Sequence, residues 1–245
     1  MKVRIISTCN KKGGASIAAS RLNYSIYHFG KDFKVDMQVA NYKKDMKNVI
    51  KPASKFISAW YLARRELGNL IQKAQISENK VLHSTSLLRS TIHRDINNCD
   101  ADIINLHWIQ GEFISIKSIS LIKKPLIWTF HDLWPFLGSE HYPKDINDRR
   151  YIDGYNKFNR SKSEKGFDLD LLTWKTKKRF FRKPIQIVCN SNWLADCVKN
   201  SALMHSWPVE IIPNPIPTKI YTPWPKKYSR TLFNLPLNKE LVLFG

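Results

Sequence analysis

Short apolar runs recur along the chain, and each stops at glycine, polar or aromatic positions. Between them lie longer stretches whose apolar positions repeat every three or four residues, the signature of amphipathic helix. Val3-Arg4-Ile5-Ile6 predicts a buried strand, followed by residues 7–12 and then Gly13-Gly14. Residues 15–29 predict a helix with Ile17, Leu22 and Ile26 on a common side and Gly30 as its stop. Residues 33–40 are a second strand, and 56–75 a long helix with Phe56, Trp60, Leu67, Leu70 and Ile71 apolar. The flanking segments 41–52 and 77–99 carry little pattern. Two further apolar runs, 102–106 and 126–130, are joined by one amphipathic stretch. The first ends abruptly in His107-Trp108, the second in His131-Asp132-Leu133-Trp134. The charged, weakly periodic region 143–165 predicts a long loop or flexible lid. Residues 169–181 read as helix and 184–189 as strand. Asn190-Ser191-Asn192 then caps a helix over 193–200, and 209–212 is the next strand. Five prolines in 213–225 exclude regular structure there.

Strands separated by helix-length segments imply β-α-β repeats. The predicted fold class is therefore α/β, a Rossmann-like, doubly wound, mainly parallel sheet. In such sheets ligands bind just beyond the carboxyl ends of the strands. Two successive strands delivering imidazole, indole and carboxylate to that edge predict the floor of a site. Near the end, Leu241-Val242-Leu243-Phe244-Gly245 reads as a fresh core strand closing on a glycine turn. A domain that ended there would expose an apolar strand edge. The expected organisation is an N-terminal domain over 1–212, a linker over 213–238, and over 239–245 the first strand of a truncated second domain.

Composition changes this picture only in part. The 245 residues are 43% hydrophobic, enough for a packed core. Forty Lys and Arg stand against twenty Asp and Glu, for a net charge of +20. That balance favours anionic partners such as nucleotide diphosphates, acidic lipid headgroups or nucleic acid, without choosing among them. A general lysine habit explains the same excess equally well. The basic residues form scattered pairs rather than one tail. Cys9, Cys99, Cys189 and Cys197 lack C-x-x-C spacing, so neither a zinc site nor a disulfide framework is indicated. Reduced thiols and the lack of an apolar leader point to the cytoplasm. No run nears the ~18 apolar residues of a spanning helix.

Several positions carry candidate chemistry. Lys11-Lys12-Gly13-Gly14-Ala15-Ser16 leaves a strand and opens a helix, where backbone N–H groups and the helix dipole suit a phosphate. It lacks both the Gly-Lys-[Ser/Thr] step of P-loop ATPases and G-x-G-x-x-G, and also reads as a simple tight turn. His131 can hydrogen-bond a sugar hydroxyl or a reacting oxygen. Neighbouring residues of a strand face opposite ways, so Asp132 need not touch it. Trp108 and Trp134 suit stacking on a sugar ring, or the core. Lys175 and Lys177 suit a pyrophosphate, or a solvated helix face. Ser191 is first a helix cap, and Pro213-Asn214-Pro215 a rigid turn leaving a strand.

In order, the blocks GGA-x-IAA-x-RL, LHW, KPLIWTFHDLWPFLG-x-x-HY, CNSNWLADCVKNS, VEIIPNPI and LVLFG resemble glycosyltransferase family 4. The likeness runs over essentially the whole chain and is nearest to a bacterial branch that includes a colanic acid enzyme. WTFHDLWPFLG is its specific part. The resemblance implies a GT-B fold, two Rossmann-like domains facing across a cleft, of which this chain would be the N-terminal, acceptor-side half. It implies retaining transfer from a nucleotide-sugar to a saccharide or lipid-linked acceptor in cell-surface polysaccharide synthesis, with no cofactor and no metal.

By position, the resemblance places His131 at the reaction centre, with Asp132 and Trp134 in the same loop; His131 and Asp132 are the expected catalytic residues. Gly13, Gly14, Ser191 and Asn214 are assigned to the donor and its phosphates, and His107, Trp108 and Trp134 to the acceptor side. Where relatives often carry cysteines after the HD block, this chain has Ser139 and a basic loop, so any local metal or disulfide feature would be lost. Pro217 replaces an aspartate of the family's turn. The donor domain's Arg/Lys pair and E-x7-E carboxylates have no place in the chain, which is expected to be inactive alone. A peripheral position on the inner face of the plasma membrane fits the charge. The rival is a non-catalytic basic α/β module bound to anionic membrane or nucleic acid, although no specific nucleic acid is expected. An ATPase of the ParA kind is disfavoured by the missing P-loop lysine and serine.

Overall fold

The computed structural model describes residues 1–42, 47–145 and 147–243. They fall into two compact units, Met1–Asn214 and Pro215–Gly245. Along the first unit run β1 (Lys2–Cys9), α1 (Gly14–Phe29), β2 (Lys34–Asn41), β3 (Val49–Ile50), α2 (Lys55–Gln72), β4 (Gln75–Ile76) and α3 (Ile92–Asn98). Then come β5 (Ile103–Leu106), α4 (Ile116–Ser120), β6 (Leu126–Phe130), α5 (Arg150–Asp153), β7 (Lys165–Gly166), α6 (Leu169–Phe180), β8 (Gln186–Cys189), α7 (Asn192–Asn200) and β9 (Val209–Ile211).

Seven strands form one sheet in the order β3-β2-β1-β5-β6-β8-β9, every pair parallel. β1 sits between β2 and β5, in register Ile5↔Met37 and Ile5↔Asn105. The chain therefore winds outward one way from β1 to β3 and the other way from β5 to β9. This is the Rossmann-like, doubly wound α/β sheet that the sequence predicts. Both faces are apolar, because parallel strands under crossover helices are covered twice. Ile5 packs in a cluster with Ala19, Val35, Met37 and Val39, while its neighbour Ile6 joins the larger core of the other face with Leu106, Trp128 and Phe130. β4 and β7 make a separate two-stranded antiparallel pair.

Three expectations need correction. The predicted apolar side of α2 does not face the core. Phe56 (79% exposed), Trp60 (59%), Leu67 and Leu70 lie outward, and the buried residues are Tyr61, Arg64 and Gly68. Gly68 is small because Glu112 presses on the helix: a Cβ there would meet Glu112 Cγ at 2.5 Å. Ile17, expected on a common side of α1 with Leu22 and Ile26, is likewise exposed, and small residues such as Ala19 make the contact. The region 143–165 is indeed mostly loop, but it is pinned rather than lid-like. Buried Arg150 holds Asp168 at 3.4 Å, and Arg160 Nη1 donates to the Gly166 carbonyl at 2.9 Å. The short α5 and the β4–β7 pair were not foreseen.

In the second unit, α8 (Lys226–Leu232) forms within the stretch expected to be linker, and none of its residues is buried. Arg230 Nη1 donates to the carbonyls of Pro236, Leu237 and Lys239 at 2.7–2.8 Å. Of the predicted terminal strand, Leu241, Val242 and Leu243 are exposed and have no strand structure; Phe244 and Gly245 lie outside the described residues.

Candidate functional site

A cavity of about 630 Å³ opens where the sheet order reverses, between β1 and β5. That position is where an open α/β sheet offers its ligand crevice, since the two crossovers lead away from it in opposite directions. Its wall comes from strand ends: Thr8 and Cys9 of β1, Asn41 of β2, Trp108 after β5, and His131 with Asp132 after β6.

The start of α1 forms one side. Gly13 is its N-cap, with φ 87° and ψ 155°, and no side chain caps the helix. A residue with a Cβ rarely adopts that backbone, which explains glycine at this position. The first-turn N–H groups have no partner within the helix, and the macrodipole adds partial positive charge there. Gly13 and Gly14 line the cavity with Lys12, and Arg65 of α2 lines it as well.

The opposite side is built around Asp132. The loop after β6 folds back, Leu133 N donating to the His141 carbonyl at 3.1 Å and His141 N to the Leu82 carbonyl at 3.0 Å. That return brings His141 Nδ1 to 2.7 Å from Asp132 Oδ2, which also accepts from Trp108 Nε1 at 3.1 Å. Asp132 Oδ1 accepts from Trp134 N at 3.1 Å. Both oxygens are thus engaged. The Trp108 indole, half-buried, stacks on His141 with ring centres 5.8 Å apart. Thr8 N donates to the Trp108 carbonyl at 2.8 Å, which fixes the indole to the end of β1.

His131 contacts His107 instead of Asp132: Nδ1 of His107 lies 2.9 Å from Nε2 of His131, and the rings stack. Burial, then the neighbouring imidazole, pushes His107 well below the ordinary histidine range. Burial also pushes His131 down to about 4. Both rings are neutral near pH 7, so a single N–H joins them. His107 Nε2 is buried and unpartnered. An orphaned buried N–H is rarer than an orphaned acceptor, so the proton belongs on His107 Nδ1, donating to His131 Nε2. His131 then carries its own proton on Nδ1, a neutral donor for a ligand in the cavity. This tautomer is assigned from the hydrogen-bond pattern.

The cavity thus unites Gly13, Gly14, Trp108, His131 and Asp132 among the predicted residues. His107 sits directly behind His131 and does not line the cavity. Trp134 is a correction: it is fully buried, its Nε1 donates to the Ser84 carbonyl at 2.6 Å, and it has no face left for a sugar. Lys177 is neither a phosphate ligand nor solvated. It is fully buried, its ammonium directed at the carbonyls of Trp134, Leu137 and Gly138. Ser191 caps α7 by accepting from Leu194 N at 3.3 Å, and neither it nor Asn214 lines the cavity.

Sequence reasoning missed His141, Tyr61 and Arg65. His141 stands in the quoted HY step but receives its role only through the loop's return. Tyr61, whose hydroxyl is pushed up to about 12 by burial, and Arg65 lie on α2, whose apolar stripe faces outward. Behind the loop, His83, Glu140 and Asp170 bring one ligand atom each within 4.8 Å of one another.

As a whole, the cavity offers backbone and cationic donors for an anion, a neutral imidazole N–H for an oxygen, and a half-buried indole for a ring face. Among the described residues no helix is long and apolar enough to cross a membrane. No curated protein matches the chain. The family model described as Glycosyltransferase Family 4 matches residues 64–220, well over half of the sequence, including the whole loop from His131 to His141 and the turn after β5. The chain belongs to Glycosyltransferase Family 4.

Proposed function

We propose that the chain forms the acceptor-side wall of a retaining enzyme that moves a sugar from a nucleotide-sugar to a saccharide or lipid-linked acceptor. The setting we assign is cell-surface polysaccharide synthesis at the inner face of the plasma membrane. One observation carries this reading: a single cavity at the sheet's reversal joins the uncapped start of α1 to His131 and Trp108. A nucleotide-sugar has those two needs, an anionic diphosphate and a neutral polyhydroxylated ring. The neutral His131 donates to a sugar hydroxyl or the reacting oxygen, and Trp108 supports the ring face. Gly13 and Gly14 approach the phosphates, without a metal. The retaining outcome rests on the family resemblance.

No two glutamates stand eight residues apart in the sequence, so an E-x7-E donor motif has to come from elsewhere. The chain alone is therefore expected to bind nucleotide-sugars weakly and to transfer nothing. Calorimetry with a panel of UDP-, GDP- and ADP-sugars tests the first point, and sub-micromolar binding would sink it. Completed by a donor domain, the chain should transfer radiolabelled sugar into a lipid extract. A completed enzyme that labels no acceptor from any donor contradicts the reading.

The exposed stripe of Phe56, Trp60, Leu67 and Leu70 on α2 favours membrane contact, which also serves the rival reading of a non-catalytic membrane-bound module. Aromatic and aliphatic side chains enter the headgroup boundary while nearby Lys and Arg add roughly 1 kcal/mol each at low salt. Sedimentation with anionic and neutral liposomes tests it. Equal binding to both rejects the electrostatic part, and tighter binding to a defined DNA sequence would promote a nucleic-acid module.

A further inference from the structure

We propose that Tyr61, together with Arg65 one turn further along α2, receives a phosphate group of the acceptor, so that the acceptor is a phosphorylated molecule and not a neutral saccharide. The acceptor role rests on the proposed function, while the phosphate site stands on the geometry of the cavity.

Tyr61 is 7% exposed, and its ring meets Phe113 edge-on with centres 5.9 Å apart. It belongs to the inward side of α2 and lines the cavity. Its hydroxyl has no hydrogen-bond partner among the described residues. A polar group so enclosed is normally paired, and one left bare at a cavity wall points to a ligand. Its position follows from Gly111, at a left-handed φ of 67° in the turn after β5. A Cβ there would stand 3.8 Å from the Tyr61 hydroxyl and 3.9 Å from the outer atoms of the Trp108 ring. Hydroxyl and indole therefore border one point of the cavity, which glycine leaves open. A sugar ring held against Trp108 brings a substituent to Tyr61.

The charges choose the substituent. Arg65 follows Tyr61 by four residues, so the two side chains are neighbours on the helix, and Arg65 lines the cavity with Lys12. Against these two cations the lining holds one carboxylate, Asp132, whose oxygens are engaged by Trp108, Trp134 and His141. A neutral saccharide leaves the cations unneutralised, whereas a phosphate suits both the guanidinium fork and a phenol O–H. Burial keeps that phenol protonated, at about 12. The contact of Arg65 with Glu66 at 3.0 Å joins two exposed neighbours, and such a pair is weak enough in water to exchange for a phosphate. The uncapped start of α1 serves the donor's diphosphate. The α2 pair, whose Tyr61 borders Trp108, falls to the acceptor.

The test is calorimetric titration of the full chain with geranyl diphosphate, inorganic pyrophosphate, UDP and methyl α-glucoside. It compares wild type, Tyr61→Phe and Arg65→Gln, with a melting curve for each. Wild type is expected to bind geranyl diphosphate about 10-fold or more tightly than methyl α-glucoside. Each variant should lose about 10-fold or more towards geranyl diphosphate, and little towards UDP, which the start of α1 holds. Tyr61→Phe keeps the ring and deletes only a bare hydroxyl, so it should melt no lower than wild type. Weaker binding without weaker folding is a result that a packing role does not give. Should Tyr61→Phe fold poorly, the exposed Arg65→Gln decides alone. Pyrophosphate separates the sources: an affinity equal to geranyl diphosphate's assigns the site to phosphate alone, and a lower one to a lipid-linked phosphate. No binding of either diphosphate at millimolar concentration overturns the proposal, as does undiminished affinity in Tyr61→Phe. Equal losses towards UDP and geranyl diphosphate overturn it too, by placing the pair on the donor's phosphates. A completed enzyme that transfers no sugar yet keeps the Tyr61-dependent binding would instead refute the proposed function and leave the phosphate site standing.

Discussion

Two junctions of the sheet share a plan and differ in one detail. After β1 and after β8, a buried cysteine ends the strand, a short polar turn follows, and a helix begins. At the second, Ser191 caps α7 with its own hydroxyl. At the first, Gly13 holds a left-handed φ and caps nothing. One helix start is closed by a side-chain cap, and the other has none. The same contrast runs along the edge: the β1–β5–β6 side carries the cavity with His131 and Trp108, and the β8–β9 side contributes nothing to it. Position at the end of a strand is therefore insufficient for a site. What matters is whether the fold has already used the polar groups found there.

The sharpest way to break this comparison is His131→Ala in a chain completed by a donor domain. Turnover should fall about 10²-fold or more, while the melting temperature changes little. Full turnover with a much lower melting temperature would make His131 a structural group. The open edge should also titrate where the closed edge does not. His131 is depressed from 6.5 to about 4, so the unfolded chain takes up a proton before the folded one does. Stability is then complete above pH 6.5 and lost as pH falls towards 4, by up to about 3 kcal/mol. Denaturant midpoints across that range should show the slope, and a His131→Asn variant should reduce it, the buried His107 keeping a slope of the same sign. Gly13→Ala has free space for its Cβ but a strained φ, and should cost about 1–3 kcal/mol. It should also weaken nucleotide-sugar binding by the completed enzyme. Ser191→Ala should cost about 1 kcal/mol in thermal melts and leave that binding unchanged. A loss of binding there would erase the distinction between the junctions. Smallest of all, Gly14→Ala, inside the helix at an ordinary φ with open space, should be neutral or stabilising by under about 1 kcal/mol.

The strands and their parallel order were legible because buried parallel strands write themselves as short apolar runs. The reversal point then followed from topology, and His131 and Trp108 from their places just past two such runs. What could not be read was the direction in which side chains face once loops return. Trp134 lies only three residues from His131 yet belongs wholly to the core. His141 becomes part of the site through a loop closure that no local pattern announces. Periodicity marked the apolar stripe of α2 but not which neighbour it meets, and here Tyr61, Arg64 and Gly68 took the inner side. Lys177 was misread for the converse reason: a basic residue in a charged helix is ordinarily solvated, unless a turn supplies carbonyls to receive it.

That enclosed lysine has a practical consequence. Its amine is sealed by three carbonyls of the turn 134–138, within the segment that links Asp132 to His141. An acylating reagent reaches it only when the turn opens, whereas the exposed lysines react at once. Its modification rate, followed by mass spectrometry, is therefore a clock for the opening of the loop 132–141, and a ligand that holds the loop shut should slow that clock without touching Lys177 at all.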